Sequence, residues 1–203
     1  MSDPSISDLV TLPHDAEALG AVFERAGREL YLVGGSVRDA LRGVRGGDLD
    51  FATDARPEEV VRLLQGWAQH RYLKGIRYGT VGARRGDLEV EITTFREEVY
   101  RDDSRHPRVT FAKDVETDLS RRDFTINAMA VRVPDRTFVD PFRGLLDLGK
   151  KVLRTPLEPA VSFGDDPLRM LRAARFVSTL DVTPVPEVIE SVTEMRERLG
   201  IVS

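Results

Sequence analysis

The stretch YLVGGSVRDALRGVRGGDLDF, residues 31–51, holds the features from which a fold and a chemistry can be predicted. Its short aliphatic start is typical of a buried strand, which ends on a double glycine. SVRDALRG then predicts one brief helix with Ser36 as a candidate N-cap, and a second strand follows that opens on Asp48 and Asp50. This order of elements predicts a phosphate-binding turn that faces a metal site.

The double glycine consists of Gly34 and Gly35, between the predicted strand and helix. Glycine lets the backbone turn sharply and approach a ligand, and a helix N-terminus offers free N–H groups to phosphate oxygens. A plain tight turn also accounts for two glycines, and the spacing matches neither a GxGxxG motif nor a Walker loop. Arg38, one helical turn later, is a candidate phosphate or substrate ligand, or an ion-pair partner of Asp39.

Asp48 and Asp50 are two residues apart, so on a strand both carboxylates leave the same face. Such close carboxylates repel unless a cation lies between them or one is protonated. Residues 78–95 predict a β-hairpin in which Glu89 and Glu91 alternate with aliphatic residues. If the two acidic strands are neighbours, three carboxylates can hold two magnesium ions for phosphoryl transfer. A solvated strand face is the alternative interpretation.

The composition of the 203 residues, 41% hydrophobic and 32% charged, is typical of a soluble globular protein. The absence of cysteine excludes disulfides and thiolate metal sites, and three scattered histidines favour an oxygen-bound cation such as Mg²⁺. We expect a cytoplasmic protein without a membrane partner, because the N-terminus lacks a signal-peptide pattern and no long apolar run follows. The net charge of -4 is unusual for a nucleic-acid binder, although clustered arginines allow a local basic surface.

The alternation of predicted helices and strands along the rest of the chain predicts an α/β fold with a mixed sheet. Helical spacing occurs over residues 14–27, from Pro57 onward and roughly over 186–199. Residues 96–108, REEVYRDDSRHPR, are polar and without periodicity, which predicts a mobile surface loop.

The segment SRRDFTINAMAV predicts a helix whose N-cap is Ser120. Arg121 and Arg122 would then lie at the positive end of the helix dipole, where unpaired cations indicate an anion in front of them. A salt-bridge network with Asp118 and Asp123 is the alternative.

A further helix, DPLRMLRAARFVSTL, is predicted to start after Asp166 and carries Arg169, Arg172 and Arg175 on one broad face. Charges at this spacing are usually a solvated face. An arginine beside a capping aspartate can also present donors and acceptors to the edge of a nucleobase.

Taken in order, LVGGSVRDALRG with DLD, EITTFR, RRDFTINA, DPFRGLLDL and DDPLRMLRAARF resemble a known family. They are similar to the head and the start of the neck of class II CCA-adding tRNA nucleotidyltransferases. That family includes bacterial poly(A) polymerases and belongs to the DNA polymerase beta superfamily. The resemblance runs from about Leu30 onward. It implies a nucleotidyltransferase head over residues 1–155 and the beginning of a helical neck over 156–203, with body and tail domains absent.

The resemblance also implies roles for individual residues. The catalytic carboxylates would be Asp48, Asp50 and Glu91, of which Asp48 and Asp50 bind Mg²⁺, with Glu89 as an alternative third acid. The nucleotide would contact Gly34, Gly35, Arg38, Arg122, Asp166, Arg169, Arg172 and Arg175. Within this set, Asp166 and Arg169 would read the Watson–Crick edge of CTP or ATP.

The implied activity is the addition of CMP and AMP from CTP and ATP to the 3′ end of tRNA. The segment 96–108 resembles the flexible loop that family members need to switch from C to A addition. One departure is Asp165 before Asp166, where the family usually has glutamate. A CC-adding enzyme, an A-adding enzyme, a poly(A) polymerase and a catalytically silent nucleotide- or RNA-binding head are the alternatives.

Overall fold

The computed structural model describes residues 9–44, 46, 48–101 and 104–202. Its α-helices are α1 (His14–Arg25), α2 (Gly35–Leu41), α3 (Pro57–Leu63), α4 (Val115–Ser120), α5 (Gly144–Gly149), α6 (Pro159–Asp165), α7 (Leu168–Leu180) and α8 (Pro186–Met195). Short 3-10 helices cover Leu64–Gly66, Ile76–Tyr78, Thr125–Asn127 and Arg196–Ile201. Its strands are β1 (Leu30–Val33), β2 (Leu49–Thr53), β3 (His70–Tyr72), β4 (Thr80–Arg85), β5 (Leu88–Thr94), β6 (Arg96–Arg101), β7 (Ser104–Phe111), β8 (Ala130–Val133), β9 (Phe138–Val139), β10 (Val152–Leu153) and β11 (Thr183–Pro184).

Within these residues, seven strands form one sheet in the order β3-β4-β5-β2-β1-β8-β9. Its β2–β5 pair is parallel and its other neighbouring pairs are antiparallel, which confirms the predicted mixed sheet. The two acidic strands are therefore neighbours, and Asp50 lies directly opposite Glu91. The predicted hairpin of β4 and β5 is also confirmed.

Both faces of the sheet are covered. Leu30 and Leu32 of β1 pack into a large apolar cluster with α1 and α3, whereas Tyr31 and Val33 join a second cluster on the opposite face. Successive strand residues point to opposite faces, so a strand buried on both sides reads as a continuous aliphatic run. This is why the first strand could be recognised from its sequence.

A third apolar cluster joins α6, α7 and α8 to the segment after α4. It includes Phe124, Leu153, Phe163, Met170 and Phe176. The cluster contains residues from both sides of the expected head–neck boundary at 155/156, and that boundary stays a prediction. None of the helices in the described part of the chain is both long and apolar enough to cross a membrane.

The prediction of a mobile loop over residues 96–108 is wrong in its secondary structure. Strands β6 and β7 pair antiparallel, with Arg96 opposite Phe111 and Glu98 opposite Val109. They form a separate two-stranded sheet, so their backbone pairing does not require the alternation of apolar residues that a buried face produces. Residues 102 and 103 lie outside the described residues.

The prediction of a helix capped by Ser120 is also wrong. Helix α4 ends there and begins after Asp114, whose carboxylate accepts a hydrogen bond from the Thr117 N–H at 2.8 Å. Residues 123–131, which follow, are all buried. A segment buried on every side shows no helical or strand period, so its pattern could not separate the two.

Candidate active site

An open cleft with a volume of about 800 Å³ lies between the sheet and α7. Ten of the predicted site residues line it: Gly34, Gly35, Arg38, Asp50, Glu91, Arg122, Asp166, Arg169, Arg172 and Arg175. The eleventh, Asp48, lines a smaller neighbouring cavity of about 250 Å³ together with Glu89 and Glu91. The fold therefore brings ten of the eleven predicted residues into one cleft from distant parts of the chain, and it places Asp48 in the adjoining cavity.

The glycine turn is required by its backbone and by its neighbours. Gly34 adopts φ 70° and ψ -136°, a conformation essentially reserved for glycine. A Cβ atom at this position would lie 2.7 Å from Nη1 of Arg122. The turn thus lets the guanidinium of Arg122 approach the backbone at the start of α2.

Ser36 does not cap α2, contrary to the prediction from the sequence, because the N-cap position falls on Gly34. Its hydroxyl donates to the carbonyl oxygen of Asp48 at 3.3 Å and accepts from the N–H of Asp50 at 3.2 Å. This side chain ties the glycine turn to the start of β2. The backbone of the acidic strand is consequently held against the turn.

The acidic side of the cleft is formed by Asp50 and Glu91 on adjacent strands. Partial burial raises the pKa of Asp50, and the negative charges of Glu91 and Asp48 raise it further, while Arg122 opposes them. Glu91 borders both cavities, whereas Glu89 borders only the smaller one. In the described chain, no three acidic or histidine side chains are grouped closely enough to form a ready-made metal cluster.

The cationic side of the cleft is built on Asp118, which is fully buried in α4. Its carboxylate binds Arg121 at 2.8 Å and Arg122 at 3.1 Å. Burial alone would raise the pKa of Asp118, but the two guanidiniums outweigh that effect and hold it below its ordinary value. The alternative of a salt-bridge network is thus confirmed for Asp118.

Arg122 nevertheless keeps binding capacity. Its Nε is buried and has no hydrogen-bond partner among the described residues. Its Nη2 is bound by Asp118, while Nη1 lies next to the glycine turn in the cleft. An arginine with donors left over at this position favours an anionic ligand.

A polar network centred on three buried side chains, those of Arg38, Asn127 and Asp123, lines the cleft. Arg38 donates to both carboxylate oxygens of Asp39 at 2.9 and 2.8 Å, and its Nη1 donates to Oδ1 of Asn127 at 2.6 Å. The amide of Asn127 donates in turn to Asp123 at 3.0 Å, and Asp123 accepts from Nε of Arg172 at 2.8 Å. One amide therefore connects the arginine beside the glycine turn to an arginine on α7.

Phe176 completes this network with an apolar surface. The guanidinium carbons of Arg38 and Arg172 lie 5.5 Å and 5.4 Å from its ring centroid. Phe176 and Asn127 were not predicted as site residues from the sequence. Both occur within motifs that carry other predicted site residues, DDPLRMLRAARF and RRDFTINA, and this position was the available signal.

The predicted base-reading pair lies at the start of α7. Oδ1 of Asp166 accepts from the N–H of Leu168 at 3.0 Å. Arg169 is buried and donates to Oγ of Ser162 at 2.9 Å and to the carbonyl of Arg121 at 2.6 Å. The interpretation of its helix face as merely solvated is therefore wrong for this arginine. Within the described residues, Asp166 and Arg169 form no salt bridge with each other, although both line the cleft.

Comparison with known proteins places this geometry in a family. Residues 30–154 match the family model described as the poly A polymerase head domain. The chain belongs to this family. Over 192 residues it is 42% identical to the CCA-adding enzyme of Levilactobacillus brevis, an alignment that covers 93% of this chain and 47% of that protein. The CCA-adding enzyme of Bacillus subtilis is 43% identical over 183 residues, covering 90% and 45%.

Solved structures of this family share the fold. The CCA-adding enzyme of Bacillus stearothermophilus in complex with CTP superposes with a TM-score of 0.82 and 35% identity, covering 95% of this chain and 46% of that one. A tRNA nucleotidyltransferase complexed with a primer tRNA and an incoming ATP analogue gives a TM-score of 0.73 at 32% identity, covering 90% and 51%. The chain spans about half the length of the curated relatives that it matches.

Proposed function

We propose that this chain is the catalytic part of a tRNA nucleotidyltransferase that adds CMP and AMP, from CTP and ATP, to the 3′ end of tRNA. The observation that carries the proposal is the single cleft in which two acidic strands face a glycine turn and a set of arginines. The proteins named CCA-adding enzyme among its relatives support the choice of reaction and substrates.

In this reaction the terminal 3′-oxygen of the RNA attacks the α-phosphorus of the nucleotide. An oxygen–phosphorus bond forms, the bond between the α- and β-phosphates breaks, and pyrophosphate and the hydroxyl proton leave. Positioning and charge stabilisation supply most of the catalysis of phosphoryl transfer. Arg38 and Arg122, beside the turn at Gly34, would bind the polyphosphate and stabilise the negative charge that develops on the leaving pyrophosphate.

The acidic side of the cleft fits a hard divalent cation. Asp50 has a raised pKa because partial burial and neighbouring carboxylates disfavour its charge, and a cation would relieve that repulsion. We assign Mg²⁺ to Asp48 and Asp50, with Glu91 as the third carboxylate. Bound there, Mg²⁺ would lower the pKa of the attacking hydroxyl and neutralise phosphate charge.

Base selection is assigned to the start of α7. Asp166 would accept from the exocyclic amine that cytosine and adenine share, and the unused N–H groups of Arg169 would donate to ring acceptors. Arg172 and Arg175 extend the same wall of the cleft. In this proposal residues 1–155 form the nucleotidyltransferase head, and residues 156–203 begin a helical neck.

The test offers the protein three tRNAs, ending at the discriminator nucleotide, after the first C, and after CC, with Mg²⁺ and one labelled nucleotide at a time. We expect CMP on the first two and AMP on the third. Long A tails on any RNA would instead indicate a poly(A) polymerase, and growth of only some substrates a CC-adding or A-adding enzyme. Binding of CTP without growth of any substrate would indicate a silent nucleotide-binding head.

Two variants provide the control for this test. Asp50→Asn should abolish transfer while the folded structure persists, because it removes a metal ligand. Asp87→Asn changes an exposed aspartate at the β4–β5 turn and should transfer normally. Equal activity of both variants would refute the assigned site.

A further inference from the structure

Ser162 of α6 is a buried polar residue that lies outside the cleft. It is 1% exposed and is not among the residues that line the cleft. The next residue, Phe163, belongs to the apolar cluster that joins α6, α7 and α8. Burial of a hydroxyl in such surroundings is unfavourable unless the hydroxyl forms a hydrogen bond. The partners of Ser162 therefore decide what this residue contributes.

Both residues assigned to base selection bond to this serine. Nη1 of Arg169 donates to Oγ of Ser162 at 2.9 Å and, at the longer distance of 3.4 Å, to its carbonyl oxygen. The backbone N–H of Asp166 donates to the same carbonyl oxygen at 3.2 Å. Ser162 is thus a common anchor of Asp166 and Arg169.

A second anchor holds the other terminal nitrogen of Arg169. Its Nη2 donates at 2.6 Å to the carbonyl oxygen of Arg121, at the C-terminal end of α4. These bonds leave the N–H of Nε and one N–H of Nη2 without a partner among the described residues. Because a guanidinium is planar, fixing both terminal nitrogens also fixes the direction in which the remaining N–H groups point.

We propose that Ser162 is a positioning residue for base selection, whose hydroxyl fixes Arg169 so that its remaining N–H groups meet the ring acceptors of cytosine and adenine. Uracil carries an N–H at the ring position where cytosine carries an acceptor. A fixed guanidinium therefore opposes uracil donor against donor, whereas a mobile guanidinium can turn away from it. The proposal rests on the function proposed above and names a residue outside the cleft on which its base selectivity depends.

The test measures nucleotide binding without RNA, so that no transfer occurs. Isothermal titration calorimetry with Mg²⁺ gives the affinities for CTP and ATP, and displacement of CTP gives the affinity for UTP. Ser162→Ala should lower the CTP and ATP affinities about two- to tenfold, which corresponds to the cost of ordering one long side chain. The UTP affinity should stay nearly unchanged, so the preference for CTP over UTP should shrink by the same factor.

Ser191→Ala is the matched control. Ser191 is a buried serine of α8 whose hydroxyl contacts Sδ of Met195 at 3.5 Å, and it does not line the cleft. This variant should leave the affinities for all three nucleotides unchanged. Alanine is favourable within a helix, so both variants should remain folded, which circular dichroism would verify.

Three outcomes would overturn the proposal. An equal loss of affinity for CTP, ATP and UTP in Ser162→Ala would show a structural serine, because such a residue has no preference among bases. Unchanged affinities in Ser162→Ala, or the same loss of selectivity in Ser191→Ala, would also overturn it. Wild-type protein that binds neither CTP nor ATP would count instead against the proposed function itself.

Discussion

The replacement Asn127→Leu would show whether the buried amide couples the two ends of the cleft. Leucine has nearly the same shape as asparagine but can neither accept from Arg38 nor donate to Asp123. Asn127 is 5% exposed, so water does not readily replace the lost partners. The substitution therefore removes two hydrogen bonds to charged groups without leaving a cavity.

The expected loss of stability follows from those two bonds. Each hydrogen bond to a charged group contributes about 1.5–3 kcal/mol. Asp123 keeps its bonds from the Phe124 N–H and from Arg172, and Arg38 keeps Asp39, which reduces the loss. We expect the free energy of unfolding to fall by about 3 kcal/mol, measured by urea denaturation.

Nucleotide binding should also weaken, because Arg38 loses its bond to the amide and Asp123, which holds Arg172, loses the amide N–H that orients it. The ligand must then order both guanidiniums. Ordering a side chain costs about 0.5–1.5 kcal/mol, so Arg38 and Arg172 together predict CTP and ATP affinities about tenfold lower. Isothermal titration calorimetry measures the affinities for CTP and ATP. Thr193→Val is the control, since it removes an exposed hydroxyl bond within α8 and should change stability by less than about 0.5 kcal/mol.

Two outcomes would refute this reasoning. Unchanged stability and affinity would show that the amide does not bridge the arginines, and a loss of stability with normal affinity would reduce it to a structural residue. Asn127→Asp adds a pH test, because its new carboxylate would face that of Asp123. Ionisation of the introduced carboxylate would place a second negative charge beside Asp123, so the loss of stability should be small in acid and should grow as the pH rises through the range in which a free aspartate side chain ionises, with a pKa of about 3.9.

Three further predictions concern single residues of the site. Gly34→Ala should lower the free energy of unfolding by about 1–3 kcal/mol and weaken CTP binding. Gly43 also has a positive φ but has open space around it, so Gly43→Ala should leave CTP affinity, measured by calorimetry, unchanged. Asp118→Asn should lower the free energy of unfolding by about 3–5 kcal/mol at pH 7, because it breaks a buried ion pair. The loss should shrink as the pH falls through the lowered pKa of the Asp118 carboxylate, which urea denaturation at several pH values would measure. In the absence of metal, Asp50→Asn should be at least as stable as the wild type at pH 7, because the raised pKa of Asp50 means that its ionised carboxylate is unfavourable in the folded protein. Any gain in the free energy of unfolding should vanish in acid, where this carboxylate is protonated. The control variant Asp87→Asn should show no gain in stability at either pH.

In the acidic site, the face of each strand could be predicted from the sequence, but the pairing of the strands could not. Alternation in DLDF and LEVEITT placed Asp50 and Glu91 on the polar faces of two strands, since the period of a strand is two. Their register could not be read in the same way, because β2 and β5 pair in parallel across a crossover that contains α3, β3 and β4. Which strands pair depends on the whole sheet, whereas the local alternation of polar and apolar residues shows only which face of a strand each side chain lies on.

The polar contacts were less predictable, because each short side chain had several partners within reach. Ser36 follows a strand and starts a helical pattern, which is also where N-caps occur, yet its hydroxyl bonds the backbone of β2. Asp123 lies next to two arginines in sequence but binds Arg172, which is 49 residues away. Such choices depend on which groups the tertiary fold buries together.

The anion predicted in front of the arginines after α4 was inferred from a helix that the structure places elsewhere. Arg121 and Arg122 were placed at a helix N-terminus, where a cation opposes the dipole, and an anion was inferred from that conflict. They lie instead at the C-terminal end of α4, where cations are favoured, and Asp118 already binds both. The case for an anion therefore rests on geometry alone. Nη1 of Arg122 lies against the turn at Gly34, whose backbone conformation is essentially reserved for glycine, and Nε of Arg122 has no partner among the described residues. On Arg122, Asp118 is bound through Nη2, so a polyphosphate in the cleft would accept hydrogen bonds from the donors that remain on this guanidinium.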